Sequence, residues 1–537
     1  MTHYRRDWIK ESTIKIADYH RKVHVPAYTT VAAMQRNGLP VSEKRAVDQL
    51  EAWEKELSKL QAYVEGEAAK KGFIFQYSPR HSPKPDAVFR DFLYSPTGLG
   101  LEITKWTEKG EKPSTDDEAL LPYAAVGPNH WGEDHPVVYS VLKIRSIAKA
   151  AGTHLSNLLS WRREDGACHP KYWWDKENTT RLSAEDPPVH QLPERANPEV
   201  AKLVKACIVP RVKPWMGSPD GWDPRKHGWV AKVDVQGAEA VVRAGCIARC
   251  RVSAPYLREG KDIHSKTASI LYRVSEGTYG KGTVERERVG KTSYFLLIFG
   301  GSWKALQRAL WLEARIWQED KEAVGLHGNF FVGYPDLQMR YGVDTELMFK
   351  QKYVEDAYGR RWQLGPPPGV RMLKSSKGIT FEFPPGLSKE RRGLLWSMLE
   401  NRRHIYANRP TQAAQATTTL WCIALCYHGE YVELREPEYW GGGSIFPEVE
   451  HVRLDGKTCL VWLSNTVHDA LWMDGAPGTL ETAAKVVTRR FNGVPADFLL
   501  EANQPWRIGI TAGPDLGTQW DYNVIAEKFG LEPLPMR

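Results

Sequence analysis

Two carboxylates stand in short apolar segments, at places where an acid has little structural reason to be. Asp234 lies near the end of the alternating segment 229–235 (WVAKVDV), and Glu239 follows five residues later. Asp469 lies in a second such segment, 466–472 (TVHDALW). A pair of aspartates that bridges two Mg²⁺ ions about 4 Å apart can hold the attacking and leaving oxygens of a phosphoryl transfer in line. The alternative for either aspartate alone is a turn or cap residue.

A cation and two aromatic rings are spaced to share one face of a helix. Lys291, Phe295 and Phe299 follow one another at intervals of four residues, which on a helix places them on one side. An incoming nucleotide needs both features, a positive charge for its phosphates and a flat surface for its base or sugar. The alternative is an amphipathic core helix with a solvated lysine.

The composition limits the class of protein to which these residues belong. The 537 residues are 42% hydrophobic and 26% charged, which excludes a disordered or fibrous chain. The net charge of +8, the 21 Trp and the 22 Tyr suit nucleic-acid binding without demonstrating it. The 7 Cys have no tight spacing, which is typical of a reducing compartment. No segment is apolar for long enough to be a signal peptide or a membrane span, so we expect a cytoplasmic protein without membrane association.

The elements that must position these residues can be predicted from the apolar spacing. Trp229–Val235 alternates as a strand does, and two more short strands are predicted at Cys459–Leu463 and Thr466–Met473, around a turn. The stretch 364–387, rich in Pro, Gly and Lys, is predicted to be an inserted surface segment. Helices are predicted at 40–70, from Ser114 or Thr115, and at Val138–Trp161, Glu239–Ala248, Lys266–Tyr272, Glu285–Phe299, 303–320 and Ala413–Tyr427.

Taken in chain order, eight short motifs resemble the polymerase module of family A DNA polymerases, the bacterial DNA polymerase I type. VDVQGAE (233–239) resembles the first acidic motif, DYSQIE, and TVHD (466–469) resembles the second, VHDE. The segment 291–300 resembles the family's KxxxFxxxYG element. The resemblance covers nearly the whole chain, and eight motifs in the family's order are far more specific than any single one. The other five are TTRLSAEDPPVHQLPER (179–195), DIHSKTA (262–268), YGRRW (358–362), NRPTQ (408–412) and WD (520–521).

The resemblance implies an α+β, right-hand polymerase fold with an antiparallel-sheet palm, helical fingers and a helical thumb. The chain between Lys291 and Asp469 is longer than the family's, which indicates insertions near 364–387 and 428–457. The domains implied are a thumb with N-terminal helices at 1–165, a palm in two parts at 166–245 and 401–537, and fingers at 246–400.

The resemblance also implies a role for each candidate site residue. Asp234 and Asp469 would hold two Mg²⁺ ions, for which Mn²⁺ can substitute. Lys291 would contact the nucleotide phosphates. Phe295 would lie against the sugar and base and, as a Phe in place of a Tyr, would disfavour dideoxynucleotides, while Glu239 would exclude a 2′-hydroxyl. The other residues implied are His264, Phe299 and Arg288 at the nucleotide, Arg181, Asn408 and Gln412 at minor-groove acceptors near the primer end, and His468 at the primer terminus.

Several residues depart from the family's pattern. Ala470 stands where a Glu follows the second acidic motif, which allows a lower rate without requiring loss of activity. Glu287 stands where the family has an Arg four residues before Lys291, and either Arg286 or Arg288 is the candidate replacement. The remaining departures are Phe299 in place of a Tyr and Thr180 in place of a Gly.

Two other patterns point to different chemistry and are weaker. Gly290, Lys291 and Thr292 end like a phosphate-binding P-loop, but Glu285 stands where that loop needs a Gly. Two cysteine pairs have a spacing at which thiols can bind zinc, although buried thiols are commoner in such apolar helical segments. The pairs are Cys246 with Cys250 and Cys422 with Cys426.

The sequence therefore predicts a template-directed DNA polymerase that adds deoxynucleotides to the 3′ end of a primer on primer-template DNA. We expect no 3′–5′ proofreading domain ahead of the thumb, and a helicase, a clamp or a separate exonuclease are candidate partners. The divergent motifs favour a role in phage or mobile-element replication, in the host cytoplasm. One alternative is a single-subunit RNA polymerase, against which Glu239 argues. The other is a DNA-binding scaffold that has lost catalysis, which Ala470 and Glu287 would favour.

Overall fold

The chain forms an α+β fold in the computed structural model, in which helices surround a five-stranded antiparallel sheet. None of the described helices is long and apolar enough to cross a membrane. The structure describes residues 17–534 except for 18, 79–80, 108–109, 125–134, 175, 178, 180, 194–197, 313–315, 317, 376–377, 429–452, 455–456, 459–460 and 468–469.

The sheet is built around the strand Trp229–Val235, whose bounds are those that the alternating pattern predicts. Ala470–Gly475 and Ile508–Gly513 pair with it on either side, both antiparallel. Most of the central strand is buried, while Asp234 is exposed. The order across the sheet is Val461–Val467, Ala470–Gly475, Trp229–Val235, Ile508–Gly513 and Trp520–Asp521.

The hairpin at one edge of the sheet turns later in the chain than predicted. The sequence predicts strands at Cys459–Leu463 and Thr466–Met473, with the turn between them. The strands in the structure are Val461–Val467 and Ala470–Gly475, so the predicted position of the turn is wrong. The polar pair 464–465 suggested a turn, but it is buried inside the first strand. Its side chains find hydrogen-bond partners there, the carboxylate of Asp474 and the hydroxyl of Tyr172.

The first long helix confirms the prediction for 40–70. It runs Glu43–Ala69 and begins after Ser42, whose hydroxyl accepts a hydrogen bond from the N–H of Arg45. It buries the apolar stripe that predicted it, including Trp53 and Leu57, against the stretch 136–161.

That second stretch confirms the helix predicted over Val138–Trp161. It consists of Pro136–Lys149, the π-helix Ala150–Leu155 and Ser156–Trp161, so the helix widens where Gly152 interrupts it instead of breaking. The helix start expected at Ser114 or Thr115 lies slightly later. Asp116 is the capping residue, and its carboxylate accepts from the N–H of Ala119 at the start of Asp117–Leu120.

The helices that follow the central strand are mostly where the spacing predicts them, at 238–247, Ile263–Tyr272 and 285–297. The single helix predicted at 303–320 is wrong. The chain forms Trp303–Leu312 and then a new helix, Asp320–Gly333. A capping box between Glu319 and Glu322 starts that second helix, and apolar spacing does not reveal such a start.

A 40-residue helix, Lys389–His428, contains the predicted helix Ala413–Tyr427 in its second half. The first half was missed because it is largely exposed and charged, and because Pro410 lies inside the helix and normally ends one. The helix crosses the predicted boundary between 400 and 401, and the domain division itself remains a prediction.

The remaining elements are short or connect those above. The segment 364–387 contains an exposed antiparallel hairpin, Arg371–Ser375 with Gly378–Glu382. The other helices are His20–His24, Val25–Asn37, Ala87–Tyr94, Leu121–Tyr123, Val189–Gln191, Pro198–Lys205, Pro219–Gly221, Ser253–Glu259, Pro335–Gln351, Leu480–Asn492, Asp497–Glu501 and Tyr522–Phe529. The other strands are Leu39–Pro40, Ala167–Cys168, Lys171–Trp173, Ser183–Glu185, Tyr353–Glu355, Arg361–Gln363, Arg453–Leu454 and Lys457–Thr458.

A buried ion pair joins the sheet to the N-terminal helices. The Nε and Nη2 atoms of Arg211 donate to the two carboxylate oxygens of Asp474, at 2.8 and 2.9 Å. The same guanidinium donates to the carbonyls of Asn37 and Gly38, at 2.9 and 3.2 Å. The Asp474 side chain is only 2% exposed, so its charge depends on Arg211 for compensation.

We expect Arg211→Met to lower the free energy of unfolding by about 3–5 kcal/mol, because it leaves a buried carboxylate without its cation. Urea unfolding followed by circular dichroism measures the change. The double variant Arg211→Met, Asp474→Leu should recover much of the loss, since a well-packed apolar pair can replace a buried ion pair. Arg308→Met is the control, because that side chain is 67% exposed and should contribute less than about 1 kcal/mol.

Candidate active site

Asp234 presents its carboxylate to solvent at the end of the central strand. The side chain is 51% exposed, and the Nζ of Lys232 lies 3.4 Å from its Oδ2. Its partners on the neighbouring strands are Ala470 and Gly509, and neither has a side chain long enough to cover it. The carboxylate is therefore accessible to a cation or a substrate.

The second predicted metal ligand, Asp469, and the neighbouring His468 lie outside the described residues, so their roles remain predictions. Ala470, which follows Asp469 in the sequence, pairs directly with Asp234. In the part of the chain that the structure describes, no three His, Cys, Asp or Glu side chains form a cluster that could hold a metal ion. Considered by itself, Asp234 has the chemistry of a magnesium ligand, because an exposed carboxylate supplies the hard oxygen that Mg²⁺ prefers.

Arg181 connects two residues for which the sequence predicts different roles. Its Nη2 donates to the Oε1 of Glu239 and to the Oε1 of Gln415, both at 3.4 Å. The predicted DNA contact and the predicted sugar-excluding residue therefore lie side by side. The Nε of Arg181 is buried without a hydrogen-bond partner among the described residues, so the guanidinium keeps a donor for a ligand.

Gln415 is a site residue that sequence reasoning missed. It is only 1% exposed, and it follows Gln412 by three residues, close to one turn of the helix. In the sequence, Gln415 is the only amide in the small, apolar run 413–416 (AAQA). That pattern could have indicated a site residue, because a buried amide needs hydrogen-bond partners.

The prediction that Lys291, Phe295 and Phe299 share one face of a helix is confirmed for Lys291 and Phe295. Lys291 is exposed and Phe295 half-buried, one turn apart on the same helix. The helix ends at Leu297, so Phe299 lies in the turn beyond it and is only 8% exposed. The cation and one ring are thus available to a ligand from the helix surface.

A π-helical turn places an arginine one turn before Lys291. The segment Glu285–Gly290 is a π-helix, and the N–H of Lys291 donates to the carbonyl of Arg286, five residues earlier. Because of this i to i+5 hydrogen bond, Arg286 lies about one turn before Lys291, and whether it or Arg288 replaces the family's Arg remains a prediction. Arg288, the other candidate replacement, is exposed.

Asp262 holds Arg286 in this place. Its carboxylate accepts from the Nε and Nη2 of Arg286 at 2.9 and 3.2 Å, and also from the N–H groups of His264 and Ser265 at the start of the next helix. Burial acts to raise the pKa of Asp262, but the hydrogen bonds from Arg286 and Ser265 outweigh it and lower the pKa to about 2. The aspartate is therefore ionised, and Arg286 stays paired, at neutral pH.

His264 lies between this ion pair and the ring of Phe295, with 5.3 Å between the two ring centroids. Burial, followed by the positive charge of Arg286, lowers the pKa of His264 to about 4. Its Nδ1 is buried without a partner among the described residues. At neutral pH the ring is therefore an uncharged donor or acceptor beside the exposed Lys291.

Two contacts join the Lys291 helix to the rest of the site. The Nε of the buried Arg243 donates to the carbonyl of Ile298 at 3.1 Å, and Arg243 follows Glu239 on the same helical stretch. The carbonyl of Phe299 lies 3.2 Å from the Nδ1 of His404, which is on the long helix. The elements that carry the predicted nucleotide residues and the predicted DNA residues are thus bonded together.

The predicted DNA residues of the long helix lie one turn apart. Asn408 is half-buried, and its Oδ1 has no hydrogen-bond partner among the described residues. Gln412 is also half-buried. A buried acceptor without a partner costs free energy unless a ligand or water satisfies it, so Asn408 is poised for a donor from outside the chain.

The P-loop pattern lies in a helix, and the two cysteine pairs join no cluster of three or more His, Cys, Asp or Glu side chains among the described residues. Gly290, Lys291 and Thr292 lie within one continuous helical stretch and not in a loop that could wrap around a phosphate. The four cysteines of the two pairs are free thiols, and burial raises the pKa of three of them above its usual value, at Cys246, Cys422 and Cys426.

Comparison with known protein families identifies the chain. The model of "DNA polymerase family A" matches residues 47–366, which is more than half of the sequence. The chain belongs to DNA polymerase family A. This family A chain also resembles a solved structure described as the POL domain of Pol1 from M. smegmatis in complex with DNA primer-template and dNTP. The TM-score is 0.65 at 18% sequence identity, over 92% of this chain and 70% of that one, and it confirms the expected right-hand fold.

Curated family A relatives share a more limited part of their length with this chain. DNA polymerase I of Streptococcus pneumoniae (strain ATCC BAA-255 / R6) is 27% identical over 285 residues, which are 53% of this chain and 28% of that protein. Thermostable DNA polymerase I of Thermus filiformis is 25% identical over 349 residues, which are 65% of this chain and 36% of that protein. The matches thus span only about a third of the length of these relatives.

We expect the His264 ring to titrate with a midpoint near pH 4, and Arg286→Gln to raise that midpoint, because removing a nearby positive charge makes protonation easier. Histidine-selective ¹³C labelling and NMR over pH 3.5–8 measure it, with His264→Gln to assign the signal. Arg288→Gln removes the same charge from an exposed position and should shift the midpoint less. A wild-type midpoint near 6.5 would show that the ring is not buried against Arg286.

Proposed function

We propose that this family A chain is a template-directed DNA polymerase, which transfers deoxynucleotides to the 3′ end of a primer. The observation that carries the proposal is the way in which the described contacts assemble the site. Arg181 joins Glu239 to Gln415, and Arg243 joins the same helical stretch to the end of the Lys291 helix. The exposed carboxylate of Asp234 stands at the start of this arrangement, five residues before Glu239.

The reaction that we propose is an in-line attack of the primer 3′-hydroxyl on the α-phosphate of a deoxynucleotide, with pyrophosphate leaving. Asp234 and Asp469 would hold two Mg²⁺ ions, which when bound lower the pKa of the attacking hydroxyl and stabilise the charge on pyrophosphate. Lys291 contacts the phosphates from the helix surface. His264, uncharged at neutral pH, donates a hydrogen bond to them without adding charge.

Sugar and primer are recognised at the Arg181–Glu239 contact. Phe295 lies against the sugar, and Glu239 fills the space that a 2′-hydroxyl would need. Arg181 can donate to a minor-groove acceptor of the primer end. The Oδ1 of Asn408, which has no partner among the described residues, lies on the helix that also carries Gln412. This arrangement favours deoxynucleotides over ribonucleotides.

We expect Asp234→Asn to reduce primer extension by at least about a thousandfold, because the amide supplies no charge for a divalent cation. Extension of a primed DNA template with four dNTPs and Mg²⁺, and then Mn²⁺, measures the loss. Asp220→Asn, which neutralises an exposed aspartate in the short helix Pro219–Gly221, is the control and should extend normally. Wild-type binding of the primed template without extension would overturn the proposal in favour of the scaffold alternative.

We expect Glu239→Ala to narrow the preference for dNTPs over NTPs by at least about tenfold, because it opens the space for a 2′-hydroxyl. The ratio of kcat/KM values for one dNTP and the matching NTP measures it. Glu239→Gln keeps the size of the side chain and should retain most of the preference. A wild type that uses NTPs as well as dNTPs would instead favour the RNA polymerase alternative.

Two finer expectations belong to this proposal. The first is a role in replicating a phage or mobile element, which only the divergence of the motifs supports. A helicase, a clamp or a separate exonuclease would be its partner. The absence of proofreading can be checked by incubating the enzyme with a mismatched primer terminus and no nucleotides, where we expect the primer to stay intact.

A further inference from the structure

An exposed surface outside the candidate site combines aromatic and basic residues. It consists of the hairpin Arg371–Ser375 with Gly378–Glu382 and the first two turns of the long helix, and we call it the hairpin surface. The segment 364–399 that contains it has six Lys and Arg against two Glu, a net charge of +4, half the net charge of the chain. The family match ends at residue 366, so this surface lies beyond it.

The centre of the hairpin surface is the indole of Trp396. It is 47% exposed, and the rings of Phe381 and Phe383 support it from the hairpin, with centroids at 6.0 and 5.9 Å. Leu373 on the hairpin and Leu394 on the helix are 50% and 63% exposed. Single exposed apolar residues are ordinary, but an indole held by two further rings is a rigid, flat surface on which a ligand can stack.

Basic side chains accompany the indole at helical spacing. Lys389, Arg392 and Trp396 are three and four residues apart, which places them on one face of the helix. Arg391 lies on another side of the helix, about 140° from Trp396. Lys389 and Arg392 are exposed, and within the described part of the chain neither makes an ion pair. Two unpaired cations on the same face as an exposed ring are the combination that binds phosphates and an unstacked base.

The long helix connects this surface to the predicted DNA residues. Trp396 precedes Asn408 by twelve residues on one helix, or about 18 Å at 1.5 Å per residue. That distance corresponds to about five nucleotide steps at a rise of about 3.4 Å per nucleotide. A strand that passes the candidate primer end can therefore reach the indole within a few nucleotides.

We propose that the hairpin surface binds the single-stranded part of the template, with a base stacked on Trp396 and phosphates paired with Lys389 and Arg392. A single strand fits better than a duplex, because the base faces of a duplex are covered by their neighbours and cannot stack on an indole. The inference rests on the proposed function, since it assumes that a template strand enters the site.

The test compares two primed templates, one with a 5′ overhang of a single nucleotide and one with an overhang of twelve. Fluorescence anisotropy gives the Kd of each, without nucleotides. We expect Trp396→Ala to weaken binding of the long overhang by about fivefold or more, relative to the short one. The double variant Lys389→Gln, Arg392→Gln should lower the slope of log Kd against log salt by about 1.4 for the long overhang, at about 0.7 per lost phosphate contact.

The control is Lys226→Gln, Lys528→Gln, which removes two exposed charges outside the hairpin surface and should leave the ratio of the two Kd values unchanged. An unchanged ratio in both test variants would overturn the inference, as would an equal loss on both templates, which indicates duplex binding. If Trp396→Ala does not fold, the double variant of the basic residues decides the test by itself. Wild-type extension of the one-nucleotide overhang is measured in parallel, because its absence would refute the proposed function without affecting the binding result.

Discussion

The pairing of the central strand with two strands far away in sequence positions everything else in the site. Trp229–Val235 pairs with Ala470–Gly475 over residues 229–234 and with Ile508–Gly513 over residues 230–235, so more than 200 residues of chain lie between the central strand and its partners. A slip of one residue in this register would turn Asp234 from the exposed face to the buried one. The buried ion pair of Arg211 and Asp474 opposes such a slip, since it fixes one of these partner strands to the N-terminal helices.

The helices around the Lys291 segment are joined to the helical stretch that follows the central strand by a few buried polar contacts. Arg243 is almost fully buried, forms an ion pair with Asp344 at 2.6 Å and donates to the carbonyl of Ile298. Such a pair contributes little net stability, because taking both charges out of water costs about as much as their attraction returns. Its value is geometric, since it fixes the helix that carries Arg243 against the helix that carries Asp344. The distance between Lys291 and the end of the central strand depends on that arrangement.

Sequence reasoning succeeded where a residue's environment is set by its near neighbours. The strand Trp229–Val235 and the helix Glu43–Ala69 have one buried face each, and their apolar spacing shows it. It failed at 464–465, where buried partners satisfy side chains that otherwise favour turns, and at Pro410, where a helix continues past a residue that usually ends one. The contact of Arg181 with Glu239 joins residues 58 positions apart, and only the folded chain brings them together. Gln415 was missed because a single amide in an apolar run has no periodicity.

The widened turn at Glu285–Gly290 lets a helix absorb a change of length without disturbing the residues beyond it. An added residue in an α-helix rotates the rest of the helix by about 100°. Here the N–H of Lys291 donates to the carbonyl of Arg286, five residues earlier, so a basic residue lies about one turn before the lysine although a glutamate stands at the expected place in the sequence. A basic residue can therefore lie one turn from a lysine without the spacing of four that an α-helix requires. Relatives that differ in this way are hard to recognise by aligning residues and easier to recognise by superposing helices.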